Sequence, residues 1–568
     1  MEAQTKNCQN CKKDFTIEPD DFGFYEKIKV PPPTFCPQCR FVRRLATMND
    51  RFFYKRKCSF NGEEIFSSYP EQTEFPVYET NIWYSDKWDP YKYGMDYDFS
   101  RSFFEQFKEL HNKVPRLALT KQGMSVNSPY THRVHDMRNC YMLCRATKCS
   151  DSFYSYIVEN ITNSSDCAWS SSCELCYECV NCEHCYNTRF ARDSNNCRDS
   201  FFLYACRNCS NCTGCVNLVN KEYCILNEQY TKEEYLNKLA QLKLNSFSGI
   251  EKFKKDFEEF RKKFPQKSIT SIKSNEVSGN CFSNCKNVHN SFDCINVKDG
   301  KYLCSIFDAQ DCMDYFEWGN GSELIYESEN CGIGSSRISF SAQCWMGAHD
   351  LLYCDSCPSS SYCFGCIGLK NGQYSVLNKK YTKDEYEVLL PKIIEQMKTM
   401  PYVDKNGIEY RFGEHFPVSI FEHPYNETIA SDFFPLTKDE VISKGYKWRD
   451  REKRNYEITI ESSLLPETIA EVKDSILNEV IGCAEKDTQY SVGAYRITQG
   501  ELSFYRRMDL PLPRVSFDVR HINRFAQRPG FVIQKRNCNK CNIEIDTVYS
   551  EQFSPIIYCE ACYKQEVY

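Results

Sequence analysis

Paired cysteines near the two chain ends are the residues whose spacing most clearly points to chemistry. They form two sets of four: Cys8, Cys11, Cys36 and Cys39 near the start, and Cys538, Cys541, Cys559 and Cys562 near the end. Four thiolates in two Cys-x2-Cys pairs satisfy a tetrahedral Zn²⁺ and leave no open position, as structural zinc sites require. The alternative is a redox-active or buried thiol pair. The spacing favours one Zn²⁺ per end, about two in the chain.

The two ends are copies of one module. A shift of 480 positions places Phe24-Tyr25 on Phe504-Tyr505 and Cys58 on Cys538 without a gap. Self-similarity of this kind indicates an internal duplication. Each copy has places for two metal sites and has lost one. The lost sites read Cys58, Asn61, Glu79 and Ile82 in the first copy, and Thr488, Ser491, Ser516 and Val519 in the second.

The N-terminal stretch CQNCKKDFTIEPDDFGFYEKIKVPPPTFCPQCR resembles a bacterial zinc-ribbon family that pairs CxxC with a later CPxCR. The resemblance covers about 35 residues at each end and implies zinc binding. The wider layout is similar to a family of uncharacterised cysteine-rich zinc-binding proteins of candidate-phylum bacteria. The segments FCPQCRFVRRLATMNDRFFYKRKC, WYSDKWDPYKYGMDYDFSRSFFEQF and SILNEVIGC carry this second resemblance.

Composition limits the class of protein. A chain of 568 residues is longer than a single hydrophobic core usually supports, so several domains are expected. Thirty-six cysteines without an apolar signal core at the start predict a cytoplasmic protein whose thiols are metal ligands or buried groups rather than disulfides. No apolar run reaches the about 18 residues of a membrane span, so no membrane partner is expected.

Nine central cysteines form the densest runs: Cys173, Cys176, Cys179, Cys182, Cys185, Cys206, Cys209, Cys212 and Cys215. Three interpretations compete. The thiols stack as a buried ladder of compact hydrophobes, adjacent pairs bind additional zinc, or repeated Cys-x2-Cys holds an iron–sulfur cluster. A shift of 151 positions relates two central blocks and places Cys209 on Ser360. That loss favours the ladder over a cofactor needed by both blocks.

Short cysteine- and aromatic-containing segments separated by Asn, Ser and Asp predict stacked strands. The predicted fold is mainly β with α segments, in which terminal zinc-ribbon or treble-clef-like modules flank a duplicated, Cys-rich, β-solenoid-like centre. An irregular antiparallel β-domain is the alternative. Thr231 with Glu234, and Thr382 with Glu385, predict capping boxes at a helix closing each block.

The expected domains follow from these repeats. They are an N-terminal zinc-ribbon module (1–84), a helical linker (85–126), Cys-rich block 1 with C-terminal helices (127–265), Cys-rich block 2 with a C-terminal helix (266–400), a mixed α/β connector (401–487) and a C-terminal zinc-ribbon module (488–568).

No phosphate loop, nucleophile elbow or HExxH sequence is present, so no catalytic residue is predicted and a non-enzymatic function is favoured. The first hypothesis is a non-enzymatic zinc-binding scaffold for an unknown protein partner. The second is RNA or DNA binding through basic end modules, because Arg40, Arg43, Arg44, Arg520 and Arg524 surround the cysteine sets. The net charge of −6 weighs against it. The third is a metal or iron–sulfur redox protein using the central thiols.

Overall fold

A computed structural model describes residues 2–451, 456–486, 488 and 491–567. The chain is mostly β, with parallel strand pairs in its centre and antiparallel hairpins at its ends. Within the described ranges, no helix combines the length and the apolar character needed to cross a bilayer.

The central strands pair in parallel at a fixed spacing along the chain. Tyr186 pairs with Arg198, Arg198 with Ser210, and Ser210 with Glu222, twelve residues apart each time. Isolated bridges continue the same spacing between the strands. Each twelve-residue segment, called a rung below, therefore lies directly against the next.

Every third residue of a rung has a left-handed backbone. In the first block these positions include Asn181, Asn187 and Asp193, with φ between 47° and 55°. Asn and Asp tolerate this conformation better than other non-glycine residues. Their side chains also bond from rung to rung: Asn181 Nδ2 donates to Asp193 Oδ1 at 2.5 Å. The bend repeated at each corner thus favours the Asn- and Asp-rich composition, although Leu175 and Phe190 adopt the same backbone conformation.

Small side chains fill the inside of the rungs. Cys173, Cys176, Cys179 and Cys182 are all at most 1% exposed. The Cys179 thiol lies 3.6 Å from the carbonyl oxygen of Tyr177 and 3.4 Å from that of Thr188 in the next rung, in position to donate to them. A hydroxyl group can also donate to such a carbonyl, as that of Ser170 does to Ala168. Small residues that can donate to these carbonyls therefore suit most of this interior, although Leu143, Ile161 and Leu203 also lie inside it.

The second block differs from the first in rung length. Three of its successive pairings are thirteen residues apart: Ala309 with Ser322, Glu323 with Ser336, and Ser336 with His349. One extra residue per rung explains why the two blocks cannot be superimposed by a single shift. Residues 139–144 and 280–285 have similar sequences but different registers, because Cys140 is buried in the first block's core whereas Cys281 lies outside the second block's core, beside Arg528.

The linker contributes the strands Arg116–Leu117 and Lys121–Val126. The strands of the first block are Thr131–Arg138, Leu143–Ser150, Tyr156–Glu159, Ala168–Ser171, Tyr186–Arg189, Arg198–Tyr204, Ser210–Val216, Glu222–Ile225 and Glu228–Gln229. Those of the second block are Gln266–Lys267, Ser271–Ile272, Asn275–Ser283, Lys286–Lys301, Cys304–Met313, Ser322–Tyr326, Ser336–Ser339, His349–Leu352, Ser361–Phe364, Gln373–Val376 and Lys379–Lys380.

Helices close both blocks where the sequence predicts them. Lys232–Leu242 and Phe247–Arg261 follow the first block, and Lys383–Thr399 follows the second. The capping boxes at Thr231 and Thr382 are formed. Phe253 and Phe257 pack against Phe202 of the first block, as the apolar stripe on that helix predicts.

The end modules share one order of elements. The N-terminal module has strands Gln4–Asn7, Asp14–Ile17, Tyr54–Lys57, Glu64–Ser67 and Val77–Tyr78, and helices Pro19–Lys27, Pro37–Leu45 and Thr80–Tyr84. The C-terminal module has strands Ile481–Gly482, Ala494–Tyr495, Gln534–Asn537, Glu544–Thr547 and Ile557–Tyr558, and helices Gln499–Met508, Phe517–Phe525 and Glu560–Val567.

The connecting segments contain short elements. In the linker these are the 3₁₀ helix Pro90–Tyr93 and the helix Phe103–Lys113. In the connector they are strands Tyr402–Val403, Glu409–Tyr410 and Ile460–Glu461, helices Ile429–Phe433 and Lys438–Ser443, and 3₁₀ helices Tyr425–Glu427, Ser462–Leu464, Ile469–Glu471 and Asp474–Asn478.

We expect the rung interior to discriminate by size. Cys179→Leu adds volume to a fully buried position and should lower the free energy of unfolding by about 1–3 kcal/mol. Cys179→Ser should cost less, because Ser170 stands at the neighbouring interior position and its hydroxyl donates to the carbonyl of Ala168. Urea unfolding of both variants in reducing buffer measures the difference. Equal losses for the two would contradict an interior limited by space.

Candidate metal centres

The first set of four cysteines comes together at the start of a helix. Cys8 ends a hairpin strand, and Cys36 and Cys39 lie at the N-cap and in the first turn of helix Pro37–Leu45. The four sulfurs all lie within 4.8 Å of one another, and those of Cys11 and Cys36 are 3.7 Å apart. The pKa of Cys8 is lowered far below its ordinary value because its sulfur accepts hydrogen bonds from Cys36 and Cys39.

The second set repeats this arrangement at the other end. Cys538, Cys541, Cys559 and Cys562 also lie with all sulfurs within 4.8 Å, and those of Cys541 and Cys559 are 3.8 Å apart. Burial acts to raise the pKa of Cys538, but backbone N–H groups of Cys541, Cys559 and Lys540 outweigh it and lower the pKa to about 6. A thiolate is therefore available here at neutral pH.

Both sets fit a metal ion. Metal–sulfur bonds of about 2.3 Å in a tetrahedron place neighbouring sulfurs about 3.8 Å apart. The two measured separations, 3.7 and 3.8 Å, agree with that edge. Four thiolates would fill every position of such a tetrahedron, so these sites can hold a metal but offer a substrate no open ligand position.

The central cysteines do not form a comparable group. Among the described residues, sets of three or more Cys, His, Asp or Glu ligand atoms within 4.8 Å of one another occur only at the two terminal sites. The nine cysteines proposed from sequence as additional metal ligands are buried in the rungs. There, their thiols face backbone carbonyls in the same and the next rung.

Four hairpins share one thiol position. Cys8, Cys58, Cys483 and Cys538 each follow the first hairpin strand, and each sulfur accepts a hydrogen bond from the backbone N–H of the residue directly before a helix further along the chain. The gapless shift placed Thr488 opposite Cys8, and that assignment is wrong. Cys483 stands there, because the turn after it is longer than the turn after Cys8. The partner of Cys483 is Ser516, so this position lacks the second ligand.

The helix that carries Cys39 docks on the second block through buried charges. Arg40 Nε donates to Asp314 Oδ2 at 2.7 Å, and Arg44 Nη2 donates to Asp314 Oδ1 at 3.3 Å. Arg43 pairs with Glu327. Asp314 is fully buried and occupies a left-handed corner of a rung. A buried charge is costly unless paired, so this helix and this corner are matched to each other.

The equivalent helix of the C-terminal module makes the same contact with the first block. Arg520 Nε donates to Asp166 Oδ1 at 3.0 Å, and Arg524 Nη1 donates to the same oxygen at 2.5 Å. Burial acts to raise the pKa of Asp166, but the two guanidinium groups lower it below its ordinary value. Asp166 again lies at a left-handed corner. Each end module therefore places an arginine pair on one rung aspartate.

These contacts overturn one prediction from the sequence. The five arginines proposed as nucleic-acid contacts, Arg40, Arg43, Arg44, Arg520 and Arg524, are at most 5% exposed. Their charges are used inside the protein, so they cannot reach phosphates in this conformation. The sequence analysis missed Asp166 and Asp314 as their partners, because a lone Asp in an Asn- and Asp-rich repeat carries no separate signal.

A small cavity borders the first metal site. It has a volume of about 10 Å³ beside Cys39 and is lined also by Asn10, Phe35, Arg43 and Tyr410. This space holds about one water molecule. Ligand pockets usually measure about 300 Å³ or more.

Comparisons with known proteins show no family. No protein-family model matches the chain, and no curated protein matches it. Among solved structures, one named as an acetyltransferase from Desulfovibrio desulfuricans G20 matches at 11% identity and a TM-score of 0.11, over 52% of this chain and 77% of that one. A TM-score this low supports neither a shared fold nor a shared activity. The two resemblances stated from sequence therefore stay predictions.

We expect loss of either rung aspartate to destabilise the protein strongly. Asp314→Ala leaves Arg40 and Arg44 buried without their shared partner, which typically costs about 3–5 kcal/mol. Asp166→Ala should destabilise the protein by a similar amount, because it removes the shared partner of Arg520 and Arg524. Asp311→Ala is the matched control, because its partner Lys27 is half exposed and such pairs contribute at most about 1 kcal/mol. Urea unfolding measures all three. An Asp314→Ala protein as stable as the control would contradict the contact described here.

Low pH should reduce the stability of the protein around helix Phe517–Phe525, which contains His521. Burial and Arg51 lower the pKa of His521 to about 3, although Asp432 acts in the opposite direction. The unfolded chain binds this proton near pH 6.5. Stability is therefore fully present above about pH 6.5 and is lost as the pH falls towards 3, by about 2 kcal/mol at pH 5. His521→Gln keeps both metal sites and should show a shallower fall in unfolding free energy between pH 6.5 and 5. Parallel curves would exclude this role.

Proposed function

We propose that this protein is a non-enzymatic scaffold in which each end module holds one structural Zn²⁺ and the centre is a β-solenoid that binds a protein partner. The observation that carries the proposal is the pair of closed four-cysteine sets, each built into a module that packs on the central blocks. Such a site contributes folding energy and leaves no ligand position for catalysis.

Zinc is the metal that this donor set favours. Thiolates are soft ligands, and a tetrahedral set of four sulfurs suits zinc or an iron centre rather than magnesium or calcium. Both sets begin with a hairpin turn and end in the first turn of a helix, which fixes two ligands on each side of the ion. A rigid, closed tetrahedron is typical of zinc with a structural role.

The rungs support the solenoid assignment. Parallel pairing continues at eleven to thirteen residues through both blocks, and the side chains of every third position are buried inside. An antiparallel β-domain would not produce this register. Stacked repeats bury a continuous core and leave long outer faces, which repeat proteins use for binding.

One outer face of the second block is apolar. Ile295 pairs with Phe307, and backbone hydrogen bonds continue this column through Asn320 to Ile333 and Met346. Ile295, Phe307, Ile333 and Met346 are each between 36% and 49% exposed. A row of exposed apolar side chains favours contact with a protein over contact with a phosphate backbone.

The same face of the first block is polar. Its column runs through Thr147, Glu159, Ser171 and Glu183. Because the two blocks are copies, the solenoid does not itself require apolar residues at these positions. The difference supports selection for a partner on the second block.

Metal content tests the proposal. Protein purified without oxygen should contain about two zinc ions per chain and no iron, as measured by inductively coupled plasma mass spectrometry. Cys39→Ser and Cys562→Ser should each remove one zinc, because each lacks one ligand of a single site. Cys58→Ser is the matched control and should keep both ions, because Cys58 has no cysteine set around it.

Other outcomes would reject the proposal. A brown protein containing iron would favour the redox hypothesis instead, and a protein without metal would remove the basis of both end sites. Retention on RNA or DNA that falls steeply with salt would favour nucleic-acid binding, since such affinity depends on released counterions. We expect no salt-dependent retention.

A further inference from the structure

We infer that both metal ions stabilise contacts of the end modules with the second block, whereas the helix Phe517–Phe525 docks on the first block without a metal ion. This inference rests on the proposed function, because it assigns a role to the proposed ions. Each end module consists of two halves, and each half has a hairpin followed by a helix. One half of each module carries a four-cysteine set.

The metal-bearing half of the N-terminal module contacts the second block. Its helix Pro37–Leu45 reaches Asp314 through Arg40, and Lys301 Nζ donates to Asp21 at 2.7 Å. Cys39 directly precedes Arg40. A metal bond to Cys39 therefore fixes the first turn of the helix whose next residue makes the buried ion pair.

The metal-bearing half of the C-terminal module contacts the beginning of the same block. Strand Ile557–Tyr558 pairs in parallel with Gln266–Lys267, directly before Cys559. The Thr547 hydroxyl donates to the carbonyl of Ser268 at 2.9 Å. Both four-cysteine sets thus adjoin segments that contact residues 266–400.

The helix that docks on the first block belongs to a half without a metal site, and the other such half also contacts the second block, where Lys370 Nζ donates to the carbonyl of Trp83. Helix Phe517–Phe525 reaches Asp166 through Arg520, and the strand Val77–Tyr78 pairs with Arg116–Leu117 at the entry to the first block. In these halves Ser516 and Glu79 stand where the other halves have cysteine. No thiolate tetrahedron forms around either position within the described residues.

Packing replaces the metal beside helix Phe517–Phe525. Arg514 donates to the carbonyl oxygens of Ser462 and Pro466, and the Tyr495 hydroxyl donates to that of Pro513. The neighbouring hairpin becomes a three-stranded sheet by adding Ile460–Glu461. A buried apolar cluster that includes Ile481, Ile497, Leu502, Leu510 and Leu512 supports this half.

Both docking helices have nine residues, and neither N-cap side chain forms a capping bond. The helix Pro37–Leu45 differs in that two residues of a four-cysteine set, Cys36 and Cys39, lie at its start. A helix this short is marginal without outside contacts. Its arginine contacts bury charge and depend on accurate placement. Loss of the ion should therefore release this helix, whereas Phe517–Phe525 should remain in place.

Hydrogen exchange of the full chain tests the asymmetry. After chelation, peptides covering Pro37–Leu45 and residues 311–329 should exchange at least about tenfold faster, while those covering Phe517–Phe525 and residues 154–177 change by less than about twofold. Adding zinc should restore protection. Chelated protein that shows equal changes at both helices, or none at Pro37–Leu45, overturns the inference.

A matched pair of variants separates this effect from general destabilisation. Cys36→Ser removes a metal ligand, and Ser516→Ala changes the equivalent position of the half without a site. Only Cys36→Ser should accelerate exchange in Pro37–Leu45. Metal content is measured on the same samples. Absence of metal rejects the proposed function and this inference together, whereas two ions with uniform exchange after chelation reject only this inference.

Discussion

The limited space inside a rung is the constraint on which the rest of the structure depends. A rung of twelve residues turns at every third position, so its inward side chains meet near the centre and most of them are small, with Leu143, Ile161 and Leu203 among the larger exceptions. Cysteine meets this need because its thiol is compact, largely apolar and able to donate weakly to the carbonyls of the wall. Most of the cysteines are explained by this space, which leaves the terminal sets as the ones that require a chemical explanation.

The corners of the rungs also determine where the end modules bind. Left-handed corner residues include several aspartates, and two of these, Asp166 in one block and Asp314 in the other, receive the end modules. Each of these two aspartates accepts hydrogen bonds from two arginines one helical turn apart. The arginines give the end modules a basic sequence, but their charge is neutralised inside the protein. Local sequence charge therefore misrepresents the protein surface.

Duplication allowed the two module halves to be stabilised differently. A half with four cysteines can be held by one ion, whereas a half that has lost them needs other support. Around Cys483 that support is an added strand and a buried apolar cluster. The hairpin and helix keep the same arrangement in both cases, so a four-cysteine set is not required to form it. The arrangement also places both four-cysteine sets beside the block that has the apolar outer face.

Local features of the sequence were sufficient for several conclusions. The Cys-x2-Cys spacing indicated the two sets that the structure brings together, and Thr231 with Glu234 indicated a helix start, because ligand spacing and capping act over a few residues. The duplications were also readable, although the added residue in three rungs of the second block displaced part of the alignment. The longer turn after Cys483 hid its equivalence to Cys8 for the same reason.

Only the tertiary structure decided how distant parts meet. Arg40 and Asp314 are 274 positions apart, and Arg520 and Asp166 are 354 apart. Nothing local distinguishes these residues from solvated charges, since burial depends on what the rest of the chain places over them. The docking of one arginine-bearing helix on each block, and the burial of five arginines there, depend on packing between segments, which spacing within a segment cannot encode.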